Sequence, residues 1–255
     1  MRAVMIVLAA GLATMFATPV DAQQRTQTYV IVHGAWGGGW DWKQVDSVLD
    51  ASGNKVYRPT LTGLGERVHL LTPEVDLTTH ITDIVNVILF ENLRDVVLVG
   101  HSYGGMVITG VADRVPDRIR RLVYVDALVP ENGESVVTAI RATSTGDRMG
   151  PLLESAKNGA LIPSWVKPGT TPPTDVPHPV KTFTQQLKLE NPVARKIPGT
   201  YVLTVDAGKA EASDDFAGFG QRAKSRGWTY HVLQADHTPE RSAVGELTTI
   251  LRSVP

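Results

Sequence analysis

Gly100-His101-Ser102-Tyr103-Gly104 is the segment of this chain whose residue types and spacing most directly spell out chemistry. It is a G-x-S-x-G sequence. The apolar run Asp95–Val99 leads directly into it, and Met106–Val111 leads out of it with helical character. A strand that turns this tightly into a helix forces its central residue into a strained conformation and lifts the side chain proud of the sheet. Glycine on either side removes side chains that would collide with neighbouring backbone. The helix N-terminus beneath Ser102 favours negative charge forming there. Ser102 therefore reads as a nucleophile. The amide of Tyr103, the next residue, reads as one donor to the oxyanion that attack on a carbonyl would create.

An alcohol at neutral pH needs a base beside it, and histidine is the usual one. The chain has 7 histidines. His33 precedes a glycine loop and His101 abuts the serine, so both sit near the site for other reasons. His69, His80 and His178 read most simply as surface or cap residues, and His231 alternates within a strand. His237 falls after the last strand and before the last helix, which suits the chain order serine, acid, histidine. Two carboxylates compete for the acid. Asp206 follows the next-to-last strand, the usual position. Asp126 directly continues the run Leu122-Val123-Tyr124-Val125, so it would emerge partly buried at the sheet edge. A buried carboxylate needs a partner such as a histidine N–H. The reading favours Asp126, with Asp206 as the rival.

These side chains need a scaffold, and the sequence supplies one by alternation. Thr28–Val32, Lys55–Tyr57, Asp95–Val99, Ile119–Val125, Thr200–Thr204 and Thr229–Leu233 read as strands. Trp40–Ser52, Leu77–Leu93, Gly104–Arg114, Asp214–Ser225 and Glu240–Leu251 carry helical periodicity. Such alternation predicts an α/β fold, a mostly parallel sheet flanked by helices. It breaks between Pro130 and Pro198, a proline-rich stretch that also holds Trp165 and Phe183. Residues of about 131–197 are expected to form a cap over the C-terminal edge of the sheet, where such folds bind ligands.

The N-terminus reads Met1-Arg2, an apolar run from Ala3 to Ala17, then Thr18-Pro19-Val20-Asp21-Ala22-Gln23. One positive charge, a short apolar core and small residues before a polar stretch predict a signal peptide over residues 1–22. An exported, periplasmic or secreted protein follows, with a single domain over 23–255. No later run is long and apolar enough to span a bilayer.

Composition narrows the function. Across 255 residues, 25 basic side chains face 26 acidic ones for a net charge of −1, so a nucleic-acid partner is disfavoured. With 0 cysteines there is neither disulfide, nor thiol nucleophile, nor cysteine-ligated zinc. No His and carboxylate cluster has ligand spacing and no dinucleotide fingerprint occurs, so neither metal nor cofactor is expected. Trp36, Trp40, Trp42, Tyr103 and Trp165 are candidates to line an apolar pocket, with Trp36 and Trp165 taken as substrate-binding.

Ser102 in its elbow, with His33-Gly34-Ala35-Trp36-Gly37-Gly38-Gly39-Trp40 upstream, resembles the α/β-hydrolase fold family. Thr60-Leu61-Thr62-Gly63-Leu64-Gly65-Glu66-Arg67 and Gly227-Trp228 make the chain similar to the branch holding plant methylesterases, hydroxynitrile lyases and their bacterial relatives. The resemblance implies that the amide of Ala35 is the second oxyanion donor. It also matches Tyr124–Ala127 to a Tyr-Val/Leu-Asp-Ala pattern in the bacterial sequences, which supports Asp126. The activity it implies is a serine esterase acting on a small-molecule carboxylic ester through an acyl-enzyme. A C–C bond or amide hydrolase on the same residues stays open, as does a ligand-binding protein without catalysis. Lyases of the branch rely on a lysine just after the histidine, where this chain has Thr238.

Overall fold

In the computed structural model, which describes residues 26–143 and 149–255, the first half of the chain forms three βα units. They are β1 (Thr28–Val32) with α1 (Lys43–Ala51), β2 (Lys55–Tyr57) with α2 (Leu77–Phe90), and β3 (Val96–His101) with α3 (Gly104–Arg114). Next come β4 (Ile119–Val125), α4 (Val136–Thr143), α5 (Met149–Glu154), β5 (Ala160–Leu161), β6 (His178–Pro179) and α6 (Lys181–Thr184). The chain closes with β7 (Gly199–Val205), α7 (Ala217–Ser225), β8 (Thr229–Gln234), α8 (Pro239–Ser242) and α9 (Val244–Ser253). The expected signal peptide, residues 1–22, lies outside the described residues.

Six strands form one sheet in the order β2-β1-β3-β4-β7-β8, every neighbour parallel. The central strands β1, β3, β4 and β7 are largely buried on both faces, so both faces must be covered. Tyr29, Ile31, Val97, Val99, Val123 and Val125 pack one face against Val45 and Leu49 of α1 and Leu247 and Leu251 of α9. Their neighbours Val30, Val32, Leu98, Leu122 and Tyr124 point the other way, onto Ile81 and Ile84 of α2, Val107 and Ile108 of α3, and Phe219 of α7. Each such fully buried aliphatic side chain contributes about 1.5–3 kcal/mol. Because all six strands run the same way, the loops after β1, β3, β4, β7 and β8 share one edge.

The element ends differ from the sequence pattern where side chains or single residues redirect the backbone. The helix expected over Leu77–Leu93 stops at Phe90, because Asn92 turns to φ 47° and the Leu93 amide returns to the Ile88 carbonyl at 2.8 Å. The helix expected from Trp40 opens as a 3-10 turn, Gly39–Trp42, with Asp41 accepting the Gly38 amide. The helix expected from Asp214 starts at Ala217, since the Asp214 carboxylate accepts the Phe216 amide at 2.8 Å and holds a turn there. The last helix is broken at Ala243, where φ of −141° drops the methyl group into the core.

The described residues of the insertion between β4 and β7 are folded onto the sheet. β5 and β6 pair antiparallel. The insertion packs on the loops after β1 and β3, with Phe183 stacked on Tyr103 at 5.7 Å and the Leu161 carbonyl accepting from Trp36 Nε1 at 3.0 Å. Among the described residues no helix is long and apolar enough to cross a membrane.

Candidate active site

Ser102 follows β3 directly and holds φ of 52°. Its amide donates to the Val125 carbonyl at 3.2 Å, and its own carbonyl accepts from Gly105 and Leu128. A left-handed backbone at a residue with a side chain costs of order 1–3 kcal/mol and persists only where its surroundings hold it. Gly104 shows what the turn requires: a Cβ there would lie 2.5 Å from the Val32 carbonyl oxygen, so helix α3 reaches β1 only without one.

Asp126 leaves β4 in the same manner, at φ 43°, and is 1% exposed. One carboxylate oxygen accepts the Thr204 amide at 3.1 Å, and the other lies 2.6 Å from His237 Nδ1. His237 sits between β8 and α8, its Nε2 3.0 Å from Ser102 Oγ. A carboxylate only accepts, so Nδ1 carries the proton and Nε2 presents its lone pair to the serine hydroxyl. Burial lowers the His237 pKa, but the hydrogen bond and charge of Asp126 outweigh it and raise it overall above the usual histidine value. Phe216 stacks on the ring at 4.7 Å. The structure thus brings Ser102, His237 and Asp126 into one chain of hydrogen bonds. It leaves Asp206 out: that carboxylate is half exposed and pairs with Lys209 at 2.6 Å.

The β1 loop closes over the serine. A Cβ on Gly34 would lie 3.3 Å from Ser102 Cβ, so Ala35, the next residue, is beside the nucleophile. Tyr103 caps α3 at the N-terminal end. Trp36 holds φ of 63°, which a bulky residue adopts only under constraint, and the insertion supplies it. The Trp36 amide donates to His178 Nδ1 at 3.2 Å, and the Val176 amide donates to the Trp36 carbonyl at 2.9 Å. The Trp165 ring meets Trp36 edge-on at 5.1 Å, and its Nε1 donates to Asp175 at 2.7 Å. Both tryptophans line a cavity of about 340 Å³ that contains Ser102 and His237. Trp42 does not reach it as a wall; it is fully buried in the core. Trp40 lies under the Arg241 guanidinium at 4.8 Å.

One histidine is not where the sequence put it: His80 is fully buried and not at the surface. His178 lies on β6 of the insertion and is likewise fully buried. His80 Nε2 donates to the Thr62 carbonyl at 2.9 Å, leaving Nδ1 to accept the Tyr103 hydroxyl at 2.9 Å. His178 accepts Trp36, so its Nε2 donates to Thr182 Oγ at 2.7 Å. Burial depresses both, His80 to about 3, so each is a neutral strut under the site. Sequence reasoning also passed over Phe216, Glu240, and the Asp41–Arg241 ion pair on the cavity wall. Glu240 offered a faint signal, standing three residues after His237.

A parallel sheet carrying a serine elbow, with acid and histidine on later loops of the same edge, defines a class of protein. The Alpha/beta hydrolase family profile matches residues 29–247, and the chain belongs to that family. A carbendazim hydrolyzing esterase from Nocardioides sp. (strain SG-4G) is 54% identical over 112 residues, 44% of this chain and 46% of that one. Methylesterase 2 of Arabidopsis thaliana is 34% identical over 127 residues, 46% of this chain and 45% of its own. The chain thus spans about half the length of the curated relatives it matches. In structure, an extracellular alpha/beta-hydrolase from a Paenibacillus species superposes with a TM-score of 0.70 at 23% identity, covering 88% of this chain and 97% of the other.

Proposed function

We propose that this chain is a serine hydrolase of small carboxylic esters, working through an acyl-enzyme. The observation that carries the reading is the unbroken hydrogen-bond chain from Asp126 through His237 to Ser102, at 2.6 and 3.0 Å. Ser102 Oγ attacks the ester carbonyl while His237 Nε2 takes its proton. The amides of Tyr103 and Ala35 stabilise the tetrahedral oxyanion, a contribution of about 2.7–4 kcal/mol for each donor. Collapse expels the alcohol, protonated by His237. Water, deprotonated by the same imidazole, then releases the acid and restores the serine. Asp126 keeps the proton on Nδ1 and compensates the imidazolium as it forms.

Trp36 and Trp165 form the apolar walls against which the substrate packs, and residues of about 131–197 act as the cap that carries Trp165. The relatives named as methylesterases and as a carbendazim hydrolyzing esterase support ester cleavage. Cyanohydrin lyase chemistry is disfavoured because the cavity wall has Thr238 after the histidine and no lysine among the described residues. Export through cleavage after Ala22 completes the proposal, and N-terminal sequencing of the mature chain from the periplasmic or culture fraction tests it.

Hydrolysis of an aryl ester series from short to medium acyl chains, beside Ser102→Ala, tests the activity. Turnover by the wild type and none by the variant is the expected result. No turnover by either overturns the ester reading and directs the search to amide or C–C substrates.

A further inference from the structure

His101 makes a contact that the serine, histidine and acid do not themselves require. Its Nε2 lies 2.6 Å from the backbone carbonyl oxygen of His237. A carbonyl only accepts, so Nε2 carries the proton and Nδ1 is left as a lone pair. Facing that lone pair at 3.8 Å is Oε1 of Glu240. Glu240 is 2% exposed, and its Oε2 is buried without a hydrogen-bond partner among the described residues. An ionised carboxyl in such a place is costly, which favours the neutral acid. His101 Nδ1 faces Oε1, beyond hydrogen-bond reach but close enough for its lone pair to feel whether the carboxyl is neutral or charged.

We propose that Glu240 is a positioning residue: as a neutral carboxylic acid facing His101 Nδ1 across 3.8 Å it leaves that lone pair unopposed by a negative charge, keeps the proton of His101 on Nε2, and so anchors the His237 backbone at the reach from which its ring meets Ser102.

The surrounding charges agree with this assignment. Burial is the largest influence on Glu240 and pushes its pKa up to about 8; Asp41 adds to it, while its own amide, Arg241 and His237 oppose it. Burial, then the neighbouring His237, His33 and Arg241, hold His101 well below the ordinary histidine value, against the hydrogen bond to the His237 carbonyl. At neutral pH both partners are therefore uncharged. Once Glu240 ionises, its carboxylate faces a lone pair. The imidazole then gains by moving its proton to Nδ1, and Nε2 loses its hold on the His237 carbonyl. Anchoring is thus lost on the alkaline side.

The decisive measurement is the ring-nitrogen NMR of the full chain, with long-range ¹H–¹⁵N correlations followed from about pH 6 to 9 and His101 assigned by its absence in His101→Gln. The expected result is a His101 proton on Nε2 at neutral pH that shifts toward Nδ1 as Glu240 ionises, and stays on Nε2 throughout in Glu240→Gln. In turnover, Glu240→Leu is expected to lose kcat by roughly 10–100-fold, the cost of a misplaced base, with little change in KM. Glu240→Gln, which is neutral and polar like the protonated acid but cannot ionise, restores most of that loss and removes the alkaline fall in rate. A wild-type His101 proton on Nδ1 at neutral pH, or the same alkaline limb in Glu240→Gln as in the wild type, overturns the proposal. The turnover arm rests on the ester reading above, but the tautomer does not. An inactive wild type would sink the ester reading and leave the spectra to decide this one. Should Glu240→Leu fail to fold, the Glu240→Gln series decides alone.

Discussion

Val125 lies in register with His101 across the β3–β4 pair, so the residues that follow them, Asp126 and Ser102, leave the sheet side by side. Val125 is likewise in register with Val202 on β7. Asp206 therefore emerges three residues beyond the level of Asp126, roughly 10 Å further along at the rise of a strand. It meets Lys209 there and not the imidazole. Asp126→Asn is accordingly expected to lower kcat by about 10³–10⁴-fold, because the amide favours the wrong tautomer of His237. Asp206→Asn should stay within about twofold, as exposed ion pairs contribute little. Steady-state kinetics of the two variants decide the matter, and equal losses would remove Asp126 from its role.

The pH profile follows from the same pair. His237 must be neutral to take the serine proton, and Asp126 raises its pKa above the usual value. Activity is therefore expected to fall as pH drops through a point above 6.5, the ordinary histidine value. In Asp126→Asn the residual activity should show that acid limb displaced to lower pH. A limb that stays in place would mean that another group controls it.

Much of this edge was legible in the sequence because it rests on local pattern. Continuous apolar runs such as Val96–Val99 have one reasonable fate, and a serine between glycines at the end of such a run has one reasonable geometry. The choice of Asp126 over Asp206 came from burial, inferred from the residues before it. What escaped was decided by partners far away in the chain. His80 looked like a surface residue of a helix until Thr62 and Tyr103 supplied both of its hydrogen bonds. Glu240 sits in an ordinary helical pattern, and only His101, at the end of β3, gives it meaning. Helix ends at Asn92 and Ala243 turned on single backbone conformations that periodicity does not encode.

Trp36 and Trp165 should separate in their effects. Trp165 is 57% exposed and touches the cavity through its edge contact with Trp36. Losing that contact removes about 0.5–1.5 kcal/mol, so Trp165→Ala is expected to raise KM by roughly 2–10-fold with kcat nearly intact. Trp36→Ala also frees the loop that carries Ala35, so kcat should fall as well. Measuring both constants for both variants checks this. A pure KM effect at Trp36 would mean that the loop holds its shape without the indole.

The buried histidines make stability depend on pH in the sense opposite to His237. His33 and His80 are held neutral by burial, with pKa values lowered to about 4 and about 3 from 6.5. A lowered folded-state value means that the unfolded chain binds the proton first, so stability is present above pH 6.5 and is lost as pH falls toward the folded values. Each such group contributes a slope of about 1.4 kcal/mol per pH unit within that window. His237, with its raised value, contributes in the other direction, its stabilisation fading as pH rises through its folded pKa. Urea midpoints measured between about pH 7 and 5 are expected to fall with acidification. In His80→Gln the absolute stability drops, because the Tyr103 hydroxyl loses its acceptor. The informative quantity is the slope, which should flatten by about one proton relative to the wild type. An unchanged slope would show that His80 already carries its charge in the folded protein, and that its two hydrogen bonds are arranged otherwise.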